Sequence, residues 1–222
     1  ILTHNHPDHA YGASAFSDIK GLVVIGHKGT LDYIKSGKVE SSVAFRKAFI
    51  GTDMQAFEAV TPDVLIEGNL YSSHSIQLAG KTFEIYNTGT HHSFGDLVIY
   101  QKEAKIVWIA DLAFNNRVTF MADGNAKSAI DAQNWLLKTF ADAKLMIPGH
   151  GSAQTPPFTM VTRTRDYMQR LRTDMTKAVK QEVDLIDATQ NTVYEDWKTV
   201  RMYELNHRKN VEFVYREVEE EF

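Results

Sequence analysis

The sequence lacks cysteine, long apolar runs and an excess of positive charge, and each absence excludes a class of protein. Without cysteine, its 222 residues can form neither a disulfide framework nor a thiolate metal site. No apolar run approaches the ~20 residues of a membrane helix, so we expect no membrane partner. The formal net charge of −4 gives no electrostatic reason to expect a nucleic-acid partner.

An initiator methionine is also lacking. The chain begins Ile1-Leu2-Thr3 and runs directly into a histidine cluster, with no signal peptide before it. We interpret this start as lying inside a longer protein. The length suits one sizeable domain, with or without a helical appendage. No pattern indicates the oligomeric state.

Strand and helix signals alternate over roughly the first two thirds of the chain. Short apolar runs predict strands at 22–25, 75–78, 82–86, 97–100, 105–109 and 144–147. Helical spacing predicts helices at 28–59, with Phe45 and Phe49 on the apolar side, and at 125–140. After Pro156-Pro157 only helical spacing recurs. The sequence therefore predicts an α/β body at 1–157 and C-terminal helices, packed on it, at 158–222.

The strongest chemical signal is the cluster His4-Asn5-His6-Pro7-Asp8-His9. A regular strand or helix cannot direct four potential ligands to one side, whereas a tight loop between a strand and a helix can arrange them around two centres. Imidazole and carboxylate ligands without thiolate suit zinc, with iron or manganese as alternatives.

Three later segments carry further ligand types, and each follows a predicted strand. They are His91-His92 in the segment up to Asp96, then Asp111, then His150 within Pro148–Gly151. A rigid sheet can present such residues at a common edge, which favours one shared metal site.

From residue 1 to about 152 the chain resembles the metallo-β-lactamase superfamily. The resemblance lies in the order of four motifs, which are H-x-H-x-D-H, H-[ST]-x-G-D, a single Asp and P-G-H-G. Residues 3–12, THNHPDHAYG, look like the signature of its glyoxalase II-like members. Residues 110–125, ADLAFNNRVTFMADGN, and the ending 206–211 also resemble quinoprotein-relay and sulfur-oxidation-associated zinc hydrolases. Because members of that group are often exported, the narrower resemblance suggests a periplasmic location, with the cytoplasm as the alternative.

The resemblance implies an αββα sandwich, here without the strands that usually precede the histidine cluster. It also implies two zinc ions, with Asp111 bridging them. His92 has the family's spacing to Gly95 and Asp96, and His91 is the alternative. The resemblance assigns the first metal to His4, His6 and His92, and the second to Asp8, His9 and His150.

Two divalent cations that share a water lower its pKa and give a hydroxide nucleophile, and one cation can polarise a carbonyl group. Asp8 and Asp111 would offset the cationic charge, and Asp8 could orient the nucleophile or accept a proton. Asn115 and Arg117 follow Asp111 closely and could contact a small-molecule substrate, or could only stabilise their loop. Family members cleave thioesters, lactams, lactones, and phosphate or sulfate esters.

Three other functions compete with this binuclear zinc hydrolase. A persulfide-oxidising iron enzyme of the same superfamily has very similar ligands. A nuclease is disfavoured because the chain has neither a basic stripe nor a large inserted nucleic-acid domain. The third is a binding or assembly protein whose site is inactive, which the full ligand set disfavours. Separately, the chain could be a catalytically impaired fragment, since part of the pocket would belong to the missing N-terminal strands.

Overall fold

Two sheets and a set of helices make up the computed structural model, which describes residues 1–50 and 57–222. The strands are β1 Ile25–His27, β2 Val64–Ile66, β3 Ser73–Leu78, β4 Lys81–Gly89, β5 Asp96–Gln101, β6 Ile106–Ala110 and β7 Leu145–Pro148. The helices are α1 Pro7–Ala10, α2 Lys28–Lys35, α3 Lys38–Ile50, α4 Ala126–Thr139, α5 Thr159–Lys180, α6 Leu185–Asn191 and α7 Tyr203–Glu219. The predicted α/β class is confirmed.

The extended start of the chain joins the two sheets. Strands β1 and β2 form a parallel pair, and the larger sheet has the order β3-β4-β5-β6-β7, antiparallel except for β6 and β7. The backbone N–H of Leu2 donates to Ile25 (2.8 Å), and the carbonyl of Thr3 accepts from Leu97 (2.9 Å). The histidine cluster therefore begins where the chain leaves the space between β1 and β5.

Strand β5 is buried on both faces. Val98 packs in a cluster with Leu136 of α4 and Val161 of α5, whereas Leu97 and Ile99 pack in a separate cluster that includes β1 and β2 residues. Because successive side chains of a strand point to opposite faces, burial of both faces requires a continuous apolar run. This is why the run at 97–100 predicts its strand well.

The C-terminal helices share one core with the segment that follows β6. Tyr167 and Leu171 of α5 and Val211 of α7 are buried against Val118 and Met121. The helical spacing after residue 157 thus corresponds to packing within the molecule. Among the described helices, none is both long and apolar enough to cross a membrane.

Two local predictions were wrong. Strand β1 begins at Ile25 and not at residue 22, because pairing with β2 starts only after Asp63, whose carboxylate accepts from the N–H of Val24 (2.8 Å). The helix predicted at 28–59 is interrupted at Gly37, whose φ of +78° favours glycine. Its residues 51–56 lie outside the described part of the chain.

The apolar side assigned to that helix also differs. Phe45 and Phe49 of α3 are exposed, with 66% and 75% of their surface accessible, while Val39 and Val43 are buried. The buried stripe therefore follows the i, i+4 pair of valines, which packs near Tyr11 and Tyr33.

Candidate metal centre

The histidine cluster forms the turn into α1. His6 is the N-cap of that helix and Pro7 is its first residue, a position that suits proline because no N–H is needed there. The carbonyl of His6 accepts from the backbone N–H groups of His9 (3.0 Å) and Ala10 (2.9 Å). This turn brings His9 back to His4, so that their ring centres lie 4.2 Å apart.

Asp96 holds the second histidine segment in place. Its buried carboxylate accepts from the backbone N–H groups of His91, His92 and Ser93 (3.0, 2.9 and 3.0 Å) and from the Ser93 hydroxyl (2.7 Å). Although burial opposes its charge, the neighbouring His91 and His92 rings hold the pKa of Asp96 well below its ordinary value. The anchored turn directs His92 towards His6, whereas His91 contacts the Thr88 hydroxyl (3.0 Å).

Asp111 and His150 follow the two parallel strands β6 and β7 and so meet at one edge of the sheet. The N–H of Gly149 donates to Ala110 (2.7 Å), which brings the two strand ends together. A Cβ added to Gly149 would lie 2.0 Å from Oδ1 of Asp111. Only glycine therefore fits beside this carboxylate.

The structure brings all the predicted metal ligands together in two adjoining groups. Within each group the potential ligand atoms lie within 4.8 Å of one another. The first group is His4, His6, His92 and Asp111, and the second is Asp8, His9 and His150. Asp111 lies between the groups, because its oxygens are 3.1 Å from Nε2 of His92, 3.3 Å from Nε2 of His9 and 3.6 Å from Nε2 of His150.

Several ionisable side chains meet around Asp111, and they shift one another's pKa values. Burial opposes the charge of Asp111, but the His9 and His92 rings keep its pKa well below the ordinary range. Burial also opposes protonation of His9, yet the Asp111 and Asp8 carboxylates raise the pKa of His9 to about 9. Hydrogen bonds from His150 and His9 lower the pKa of Asp8. Burial lowers the pKa of His4 well below its usual value. The carboxylates therefore stay ionised beside a dense set of imidazoles.

The side chains fit a pair of divalent cations. Nε2 of His4 and Oδ1 of Asp111 are buried and have no hydrogen-bond partner among the described residues. Such an orphaned polar atom costs about 1–3 kcal/mol unless a ligand satisfies it. Every candidate donor is an imidazole nitrogen or a carboxylate oxygen, a set that zinc, iron and manganese accept.

Outer hydrogen bonds orient two of the rings. Nδ1 of His4 lies 3.1 Å from the Thr3 hydroxyl, and Nε2 of His6 lies 3.1 Å from Oδ2 of Asp123. Metal-binding histidines usually donate their second N–H to such an acceptor. Asp123 was not identified from the sequence, because 117 positions separate it from His6 and no local spacing relates the two.

A cavity of about 280 Å³ opens over both groups. Its wall includes the predicted substrate contact Arg117, and also Arg46, which sequence reasoning missed because nothing marks its face of α3. Asn115 is not part of this wall, and its side-chain amide donates to the carbonyl of Ser152 (2.7 Å). The rest of the wall comprises Phe114, Phe120, Met202, Asn206, Asp123 and the ligand candidates His6, Asp8, His92, Asp111 and His150.

Comparisons with known proteins identify the family and agree with the fold. The family model described as the metallo-beta-lactamase superfamily matches residues 1–150. A metallo-beta-lactamase from Pontibacter korlensis is similar in structure, with a TM-score of 0.58 and 21% identity over 76% of this chain and 67% of that one. The metallo-beta-lactamase IND-7 has a TM-score of 0.57 and 18% identity over 76% of this chain and 66% of that one. No curated protein sequence matches.

A further structural match extends beyond the β-lactamase part. The sec-alkylsulfatase Pisa1 from Pseudomonas sp. has a TM-score of 0.75 and 17% identity over 97% of this chain. Such coverage necessarily includes most of residues 158–222. The chain spans only 40% of the alkylsulfatase's length. At these identities the likeness concerns the fold alone.

Proposed function

The chain belongs to the metallo-beta-lactamase superfamily, whose members include metal-dependent hydrolases, and on this premise we propose that it is a binuclear zinc-dependent hydrolase of a small-molecule ester, thioester or lactam-like bond. The glyoxalase II-like branch, and within it the likeness to quinoprotein-relay and sulfur-oxidation-associated hydrolases, is the narrower form of this proposal.

The observation that carries the proposal is the meeting of the two ligand groups at Asp111. His4, His6 and His92 would hold the first cation, and Asp8, His9 and His150 would hold the second. Asp111 would contact both. When bound, two divalent cations supply an activated water as nucleophile and a Lewis acid for the carbonyl oxygen.

The chain's own side chains would orient the attacking water, accept its proton and position the substrate. Oδ2 of Asp8 lies 3.1 Å from Nε2 of His150 on the cavity wall, and 58% of the Asp8 side chain is accessible. This carboxylate can orient the attacking water or accept its proton. Phe114 and Phe120 form an apolar wall beside the two ligand groups, against which the substrate would pack.

Two observations support second candidates. The alkylsulfatase match includes the C-terminal helices, which favours a sulfate ester as the scissile group. The donor set also accepts iron, which would suit a persulfide-oxidising enzyme. Metal analysis of protein purified without added metal separates iron from zinc, and a substrate panel separates a sulfate ester from a carboxylic ester.

The test combines metal content with turnover of chromogenic esters, thioesters and lactams. Asp111→Ala should lose the second metal and reduce kcat/KM by at least about a hundredfold, because even one lost oxyanion-hole donor costs about that much and the loss of a cation removes both the activated water and the Lewis acid. His92→Ala and His91→Ala form a matched pair. His92→Ala should lose the first metal, while His91→Ala should keep both, since its ring contacts Thr88. Two metals and full turnover in Asp111→Ala, or the reverse ranking of the pair, would contradict the proposal.

A further inference from the structure

The side chain of His27 lies between helix α2 and the segment that carries His92. His27 is the N-cap residue of α2, and its Nδ1 accepts a hydrogen bond from the backbone N–H of Gly29 (2.9 Å). Serine, threonine, aspartate and asparagine are the residues that usually cap a helix in this way, through a short side chain. Capping alone therefore does not require an imidazole ring at this position.

The second ring nitrogen connects His27 to strand β4. Burial lowers the pKa of His27 and so favours the neutral ring. Because Nδ1 accepts, the single hydrogen of the neutral ring lies on Nε2, which donates to Oδ1 of the buried Asn87 (3.1 Å). The side chain of Asn87 is itself held, since Oδ1 also accepts from the N–H of Gly89 (3.0 Å) and Nδ2 donates to the carbonyl of Gly68 (3.1 Å). The ring is therefore fixed at both nitrogens.

The face of this ring packs directly on the backbone of Gly95. A Cβ added to Gly95 would lie 1.9 Å from Nδ1 and 2.6 Å from Cγ of His27. A Cβ added to Gly29 would lie 1.7 Å from the carbonyl oxygen of Phe94. The first turn of α2 and the backbone at 94–95 thus approach each other with no side chain of either glycine between them.

The backbone that packs on His27 leads directly to His92. Asp96 follows Gly95, and its carboxylate accepts from the backbone N–H of His92 (2.9 Å). Nε2 of His92 in turn lies 3.1 Å from Oδ2 of Asp111. The Asp96 carboxylate thus holds the turn at 92–96 from within, while the His27 ring supports it from outside. A displacement of Gly95 would move Asp96 and, with it, the ring of His92.

We propose that His27 is a positioning residue for the first metal, because its ring supports the turn at 92–96 and thereby sets the direction of His92. His27 is not itself a ligand, since both of its nitrogens are occupied and it belongs to neither ligand group. The inference rests on the assignment of His92 to the first metal in the proposed function, and it extends the support of that metal to α2.

His27→Asn separates capping from positioning. Asparagine can still accept from Gly29, but it lacks the ring that contacts Gly95. The melting temperature of His27→Asn should therefore lie above that of His27→Ala, whereas zinc affinity at the His92 group should fall roughly tenfold in both, as when a partner that orients a ligand is removed. Zinc titrations followed by the NMR signals of the His92 and His150 rings report the two groups separately.

The matched control is His74→Asn, at an exposed position of β3, which should bind zinc like the native protein. A native zinc affinity in His27→Asn, with the melting temperature restored, would overturn the inference and leave His27 as a helix cap alone.

A double-mutant cycle tests the contact between the ring and the turn. Gly95→Ala alone should weaken zinc binding at the His92 group, because the added methyl group would collide with the His27 ring. In the His27→Ala background the same change should cost much less, because the methyl group would enter the space that the ring had occupied. Equal losses of affinity in the two backgrounds would contradict the proposed contact.

Hydrogen exchange in the metal-free protein needs neither zinc nor turnover. The backbone amides of His91, His92 and Ser93 donate to Asp96, and their exchange should accelerate in His27→Asn but not in His74→Asn. Native exchange at all three amides would overturn the inference. Absence of zinc binding by the native protein would refute both proposals, whereas two bound zinc ions without turnover of any ester, thioester or lactam would refute the hydrolase proposal alone.

Discussion

At the scale of single residues, the tightest constraint on the candidate site is the missing side chain of Gly149. An added Cβ would lie 2.0 Å from Oδ1 of Asp111 and 2.8 Å from Cε1 of His9. Both atoms belong to candidate ligands in the core of the site. The Asp111 carboxylate and the His9 ring are in contact, so neither can move without displacing the other.

Gly149→Ala should therefore remove at least one metal ion while leaving the fold largely intact. The measurement is zinc per chain by mass spectrometry, together with the melting temperature. Gly12→Ala is the control, because no atom lies within 4 Å of a Cβ added there. Two zinc ions bound with native affinity in Gly149→Ala would show that the site tolerates a shift of Asp111.

Asp123 is expected to act on the first metal through His6. Its carboxylate lies 3.1 Å from Nε2 of His6, and this hydrogen bond lowers the pKa of Asp123. Asp123→Ala should weaken zinc binding about 10- to 100-fold, because His6 would lose the acceptor that orients its ring. Competition with a chelator measures the affinity. The exposed Asp131→Ala is the control, and equal affinities in the two variants would rule out this role.

The residues that could be identified from the sequence are those with local spacing. The cluster at 4–9 and the segments at His92, Asp111 and His150 each carry a recognisable pattern, and the structure places them together. Asp123 and Arg46 carry none. Their roles depend on contacts between segments far apart in the chain, and such contacts arise only after the sheet and helices have packed.

At the scale of elements, α7 holds the segment that carries Arg117 and Asp123. Nδ2 of Asn206 donates to the carbonyl of Val118 (3.1 Å). Asn210 donates to the carbonyl of Thr119 (2.8 Å) and accepts from the N–H of Met121 (3.2 Å). Buried backbone groups need partners, so these two asparagines replace the hydrogen bonds that a strand would have supplied.

Asn210→Ala should destabilise the protein by about 2–3 kcal/mol, because two buried backbone groups would lose their partners. The melting temperature should fall, and hydrogen exchange should accelerate at Met121. Lys209→Ala, at an exposed position of the same helix, is the control. Native exchange at Met121 in Asn210→Ala would mean that α7 does not hold this segment.

Strands and helices were predictable where the apolar pattern in the sequence was long, or where the element is buried on both faces and its residues are therefore continuously apolar. The strands at β4, β5 and β6 and helix α4 were located within a few residues for this reason. Strand β1 was misplaced because its start depends on the Asp63 carboxylate, and the face of α3 was misassigned because Val39 and Val43 compete with larger aromatic residues for the core. The start of β1 and the buried face of α3 both depend on residues that are far away in the sequence.

At the scale of the whole molecule, the candidate site connects four separate segments, at 4–9, at 92, at 111 and at 150. A metal that binds only when all four are assembled stabilises the folded state alone. A zinc concentration a thousandfold above Kd adds about 4 kcal/mol. For a protein of this size that corresponds to a melting temperature higher by roughly 8–16 °C.

Chelation should therefore lower the melting temperature by about that amount, and added zinc should restore it. Scanning calorimetry of the native protein with and without EDTA provides the measurement, and Asp111→Ala should show a much smaller shift. Identical melting temperatures with and without chelator would show that the four segments assemble without a metal.

Met202 and Asn206 belong to the C-terminal part of the chain, yet they line the same cavity as the ligand candidates. The C-terminal part of the chain, which contains none of the predicted ligands, thus contributes both to the cavity wall and to the scaffold that holds residues 118–121. In the proposed hydrolase, a substitution at Met202 would therefore change the shape of the cavity without altering a candidate ligand, whereas the exchange of all of α7 would also disturb the segment that carries Asp123.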